Sequence, residues 1–173
     1  QELGGFTELV IQRIHADGME VSTTKSVVSA SHPPLGLAMK KKWEGRSIDY
    51  TLRVTSLGVG LAAEVARHTR VQKPRLKHFQ QLLSRVKALR KAGIDTARIV
   101  RTGGTAALMH GFGGMGVAPT MLLHQRRAAM AAAALKNGLG GQQLEVALII
   151  ADGSRKGKMD PAVPAHIDVV QHW

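Results

Sequence analysis

Residues 74–93 read PRLKHFQQLLSRVKALRKAG, and this stretch decides the class of the fold. Leu76, Phe79, Leu82, Leu83, Val86 and Leu89 fall within one arc of a helical wheel, while most of Lys77, His78, Arg85, Lys87 and Lys91 fall outside it. Pro74 suits a first helical turn, where its missing N–H has no partner to lose, and Gly93 supplies a residue able to end the helix. Asp95 then stands as the N-cap of a second helix, with Ile94 and Ile99 placed as a hydrophobic staple. Pro119 opens a third helix to about Lys136, ended by Asn137 and Gly138, whose Ala and Met face permits close helix approach. Between the second and third, residues 103–116 hold six glycines in fourteen positions, a pattern compatible with either a loosely packed helix or a glycine-rich turn region. Residues 144–150 form a fourth apolar segment, and a Pro-containing tail follows.

Upstream, Phe6, Leu9, Val10 and Ile14 keep a helical period that Gly18 closes. A strand is expected from Met19 through Val21 to Val27 and Val28, stopped by His32, Pro33 and Pro34. Residues 39–46 read as a polar, basic connection, and 48–59 as a β-rich segment ending at Leu57, Gly58 and Val59. The expected class is α+β. A small α/β piece covers 1–64, a mainly helical basic region 65–140, and a helical or linker segment 141–173.

Aromatics are 3% of the chain against 44% apolar residues, so the core must be built from aliphatic side chains, Ala and Met. With no cysteine, a disulfide framework and a thiolate zinc site are excluded, which fits a reducing, intracellular setting. The longest apolar run, 128–135, is far too short to span a bilayer, and aromatic anchors for a membrane surface are nearly absent from the basic block. No membrane partner is expected.

Charge is the strongest compositional fact: Lys and Arg number 24 against 12 Asp and Glu. Residues 65–144 carry fourteen basic residues against Asp95 alone, whereas the rest of the chain is close to neutral. A block this one-sided repels itself unless a polyanion or counterions cover it, and nucleic acid is the usual intracellular polyanion. A merely solvated basic face is the bland alternative.

Local motifs for other chemistry are weak. Gly111, Gly113 and Gly116 satisfy G-x-G-x-x-G, but no β-branched strand precedes them and no acid follows at the distance that would hold a ribose. They read as packing glycines. Residues 153–158 lack the spacing of a phosphate loop and read as a solvated turn. The eight histidines are scattered, none pairs with another histidine at helical zinc-site spacing, and there is no nucleophile elbow. Every acid is isolated in sequence, so the two carboxylates that phosphoryl transfer by metal ions requires are not locally present.

Two short stretches carry a resemblance. Residues 18–26, GMEVSTTKS, are similar to the element that follows the catalytic Asp-Asp hairpin in reverse transcriptases of non-LTR (LINE-type) retrotransposons. About thirty residues on, VTSLGV at 54–59 resembles the Leu-Gly hairpin at which those enzymes grip the primer. The basic helical stretch after it, with its glycine-rich middle and Pro-led Ala-rich helix, resembles their thumb. Order and separation match, and the likeness covers most of the chain. An aromatic commonly precedes Leu-Gly in the grip; Ser56 stands there instead.

The resemblance implies a palm edge and thumb of an RNA-directed DNA polymerase, acting in the nucleus on an RNA/DNA template–primer duplex and partnered by the rest of the parent polymerase chain. It puts Lys25 beside the departing pyrophosphate, where the residues alone equally allow a solvated strand-end lysine. It puts Leu57, Gly58 and Val59 beside the primer end, where ordinary strand core is the alternative. Backbone contacts are expected from Arg75, Lys77, Arg85, Lys87, Arg90, Lys91, Arg98 and Arg101. The family's aspartates lie upstream of the element beginning at Gly18, and Gln1 as first residue points to an excerpt of a longer protein. No cofactor is therefore expected in this chain, Mg2+ belonging to the full-length enzyme. A non-enzymatic basic helical module that binds RNA or DNA is the second reading. The purified chain is expected to extend no primer on an RNA template with added magnesium or manganese; measurable extension would contradict the reading.

Overall fold

The computed structural model describes residues 2–22, 25–43, 48–133, 144–153 and 157–171. The chain forms two compact units, residues 1–54 with 62–66 and residues 55–61 with 67–173. At the coarse level the α+β expectation holds.

In the first unit, α1 (Glu2–Ala16) ends at Gly18, which takes φ +74° while its N–H bonds the His15 carbonyl at 3.0 Å and Met19 N–H bonds Ile14 O at 3.0 Å. The helix is as expected, but its buried edge is not: Ile11 is buried, whereas Phe6, Leu9 and Val10 are exposed. The expected strand over 19–28 shrinks to β1 (Val27–Val28), with 23–24 outside the described residues. β1 pairs in parallel with β2 (Asp49–Tyr50), Val27 facing Asp49 and Val28 facing Tyr50.

Parallel neighbours need a crossover, and α2 (Pro33–Lys42) supplies it. This corrects the polar connection read over 39–46, of which 44–46 lie outside the described residues. The Pro pair that stops the strand also starts the helix, since proline at the first helical positions gives up no backbone bond. Gly36 lets α2 lie on β2, because a Cβ there would stand 2.1 Å from the Tyr50 ring. Lys40 Nζ reaches Asp49 Oδ1 at 2.9 Å across the same seam.

β3 (Arg53–Ser56) and β4 (Val59–Ala62) form a hairpin, so the β-rich segment continues past its expected end at Val59. In the second unit, a short 3-10 turn (Thr69–Val71) leads into α3 (Gln72–Lys91), two residues earlier than Pro74 suggested. Gly93 at φ +85° donates to Arg90 O, and Ile94 N–H reaches back to Leu89 O, the paired bonds that satisfy orphan carbonyls at a helix end. Asp95 caps α4 (Thr96–Ile99), accepting from Ala97 N at 3.0 Å and Arg98 N at 3.3 Å.

The undecided glycine-rich stretch turns out to be both alternatives in series. α4 continues through a π turn (Val100–Gly104) into α5 (Thr105–Met109), then a turn at Gly111 with φ +79° starts α6 (Phe112–Met115). Gly104 lets this helix meet α3, since a Cβ there would come 2.6 Å from the Phe79 ring. α7 (Pro119–Ala133) buries Ala128, Ala129, Ala132 and Ala133 as its small residues predicted, and its expected end at 136–138 lies outside the described residues.

α8 (Leu144–Asp152) adds Leu144, Ala147 and Leu148 to the core formed by α3, α5 and α7, so the C-terminal segment belongs to the second unit. The Pro-containing tail holds a further helix, α9 (Ala162–Gln171).

Arg126 on α7 ties these last elements together. It forms a two-pronged bond to Asp160, Nε to Oδ1 at 2.9 Å and Nη2 to Oδ2 at 2.8 Å, and reaches Glu145 Oε1 on α8 at 3.2 Å. Asp160 Oδ1 also accepts from Ala162 N at 2.9 Å, at the start of α9. Burial alone would lower the pKa of this guanidinium; its bonds and charge contacts with Asp160, then Glu145, outweigh that and raise it above the ordinary arginine value. Arg126→Met leaves the largely buried Asp160 carboxylate without its cation and is expected to destabilise the chain by about 3 kcal/mol in urea unfolding. Adding Asp160→Asn should restore part of the loss. An unchanged midpoint in the single variant would show that the pair is not structural.

Candidate nucleic-acid interface

The hairpin turn consists of Leu57 at φ +49° and Gly58 at φ +78°, the left-handed pair of a two-residue turn whose twist matches the flanking strands. Glycine takes this conformation freely; leucine pays about 1–2 kcal/mol for it. No burial offsets that cost, because Leu57 is 93% exposed. The tip thus combines a left-handed backbone with an exposed apolar side chain.

The tip is held from below. Arg75 donates one Nη to Gly58 O and the other to His110 O at 2.5 Å. His110 Nε2 lies 3.1 Å from Leu57 O, and because a carbonyl only accepts, that nitrogen carries the proton. Val59 seats on Gly111, where a Cβ would come within 2.7 Å of its methyl group, and Gly60 passes the His68 carbonyl as closely. Gln72 Nε2 donates to Gly116 O at 2.8 Å, and Arg67 Nη1 to Val117 O at 3.0 Å. Gly111 and Gly116 of the G-x-G-x-x-G pattern are thus packing and turn glycines.

Leu57, Gly58, Val59 and Arg75 are therefore brought together at the N-terminal end of α3, with Arg75 facing inward as the clamp. Arg101 also points inward: its side chain is 13% exposed and lies 3.7 Å from the buried Asp152. Arg90 is half-buried. Lys77, Arg85, Lys87, Lys91 and Arg98 are exposed. Lys25 is exposed in the first unit.

On α3 the exposed cations divide between two flanks of the buried edge. Lys73, Lys77, Gln80, Ser84, Lys87 and Lys91 are all exposed and follow one another at steps of 4, 3, 4, 3 and 4 residues. Those steps average the helical period, so the row runs straight along the helix axis. Its length, at about 1.5 Å per residue, is roughly 27 Å. His78, Leu82, Arg85 and Leu89 share the other flank with Arg75. Lys73 was missed from sequence because the helix was expected to begin after it; its place four residues before Lys77 was the available signal.

Among the described residues no group of His, Asp and Glu is placed to hold a metal ion. The buried Asp152 and Asp160 each lie beside an arginine, Arg101 at 3.7 Å and Arg126 at 2.8 Å. Replacing Leu57 by Gly should relieve the turn and stabilise the second unit by about 1 kcal/mol in thermal unfolding, with the hairpin intact. A loss of stability would mean that the leucine side chain holds the tip. No family model, curated protein or solved structure matches the chain.

Proposed function

We propose that this chain binds the sugar-phosphate backbone of a nucleic-acid duplex along the lysine row of α3, as the palm edge and thumb of a non-LTR retrotransposon reverse transcriptase. The observation that carries the reading is the row itself: Lys73, Lys77, Lys87 and Lys91 exposed in a straight line, with uncharged Gln80 and Ser84 between them. Phosphates on one strand advance about 3.4 Å along the duplex axis, so a row of roughly 27 Å matches some eight nucleotides. Ammonium groups are point charges on flexible stems and bind phosphates without reading bases. The strained Leu57 at the clamped Leu-Gly tip supports the retroelement reading in particular, because an apolar tip adds nothing to a purely electrostatic surface.

Four phosphate contacts, at about −0.9 each, give a slope of roughly −3.6 for log affinity against log salt. Replacing Lys77 and Lys87 by Ala should flatten that slope by about 1.8 and weaken all sequences alike. Arg85→Ala, on the other flank, should leave it unchanged. Equal losses at Arg85 and at the lysines would remove the row as the binding surface.

The non-enzymatic module shares the lysine row but has no use for a strand terminus. Leu57→Asp separates the two in a binding titration. The retroelement reading expects weaker binding only for an RNA–DNA hybrid with a recessed 3′ end; an equal effect on blunt and recessed hybrids would favour the module.

A further inference from the structure

The other flank of α3 borders an apolar groove of about 560 Å3 that the nucleic-acid reading does not use. One wall is Phe79, Leu82 and Val86 of α3; the other is Ile99, Gly103 and Ala107 of the helix that runs from α4 into α5. Leu82 is half-buried and Ile99 and Ala107 are exposed, so both walls reach solvent, above a floor of buried Val100 and Leu108. The π turn inserts its extra residue at this wall, and two glycines keep the wall low. Gly104 faces Phe79, whereas a Cβ on Gly103, which also lines the groove, would meet nothing within 4 Å, so a larger side chain has room there.

His78 is in the lining and Arg85 stands exposed on the same flank, while Arg75, also in the lining, turns its guanidinium to the Gly58 and His110 carbonyls; among the described residues no carboxylate lines the groove. The stretch of α3 from Pro74 to Val86 is about 18 Å long, the length of roughly twelve helical residues. Phosphates gain nothing from an apolar floor, so a nucleic acid is a poor occupant. A peptide helix fits better: apolar anchors one turn apart seat between the two walls, the small Gly103 and Ala107 admit its backbone, and the basic rim calls for acidic flanks.

We propose that this groove docks an amphipathic helix with acidic flanks, supplied by a partner protein. The probe is a labelled helical peptide of roughly 14 residues with leucines at i, i+3 and i+7 and glutamates on its outer positions, titrated into the full chain at physiological salt. Binding is expected, and Gly103→Leu should weaken it about tenfold or more by filling the groove, without lowering the unfolding temperature, because leucine is the better helix former. Ala107→Glu, at an exposed position, should do the same by repulsion. A peptide with alanines for its leucines, or lysines for its glutamates, should bind at least about tenfold more weakly. Failure of the acidic peptide to bind, equal binding of either control peptide, or indifference to both substitutions would overturn the proposal. Duplex affinity should be unaffected by Gly103→Leu. Peptide capture that survives in a chain found not to bind duplexes would defeat the nucleic-acid reading alone and leave this one standing.

Discussion

Burial of one edge of α3 sets the azimuth of every other residue on that helix. Leu76, Phe79 and Val86 are held against Val100, Leu108 and the Ala-rich face of α7, with Gln72 fully buried at the same edge. A helix that cannot rotate must present the rest of its surface in fixed directions. The lysines therefore line up on one side, while His78, Leu82, Arg85 and Leu89 face the other. The close approach that enforces this depends on small residues: Gly104 under the Phe79 ring and four buried alanines on α7. A chain with few aromatics achieves a rigid core by bringing backbones near each other instead of filling space with rings.

Polar side chains finish the work where apolar burial ends. Arg75 spends its charge on two carbonyls to hold the hairpin tip, and Arg126 spends its own on two carboxylates to tie α7, α8 and α9 together. Arg101 lies beside a buried aspartate. The basic block is thus not one uniform surface. Arg75, Arg101 and Arg126, with planar forks suited to paired acceptors, serve the interior, while Arg85, Arg98 and the α3 lysines are left on the surface.

Local signals were legible in the sequence because their physics is local. The glycine stop after α1, the two-bond end of α3 at Gly93, the Asp95 cap and the Pro119 start each depend on a few consecutive residues. α2 is not legible in the sequence because Pro33 and Pro34 end a strand as readily as they fill a first helical turn. The strand over 19–28 was overextended because β propensity counts residues that pack on a sheet, and here only Val27 and Val28 have a neighbouring strand. The left-handed Leu57 and the inward turn of Arg75 and Arg101 depend on partners 17 to 53 residues away, so no window of sequence carries them. Among the candidate contacts, the lysines were legible as a group and their straight alignment was latent in the spacing. The groove was not, since it arises from one extra residue in a π turn.

Lysine footprinting tests the central claim most directly. The chain is acetylated briefly, with and without an RNA–DNA hybrid, and each lysine's modification is read by mass spectrometry. Lys73, Lys77, Lys87 and Lys91 should be protected together, while Lys40, Lys41 and Lys42 on α2 react as before. Protection spread evenly over all exposed lysines, or concentrated on α2, would contradict the account.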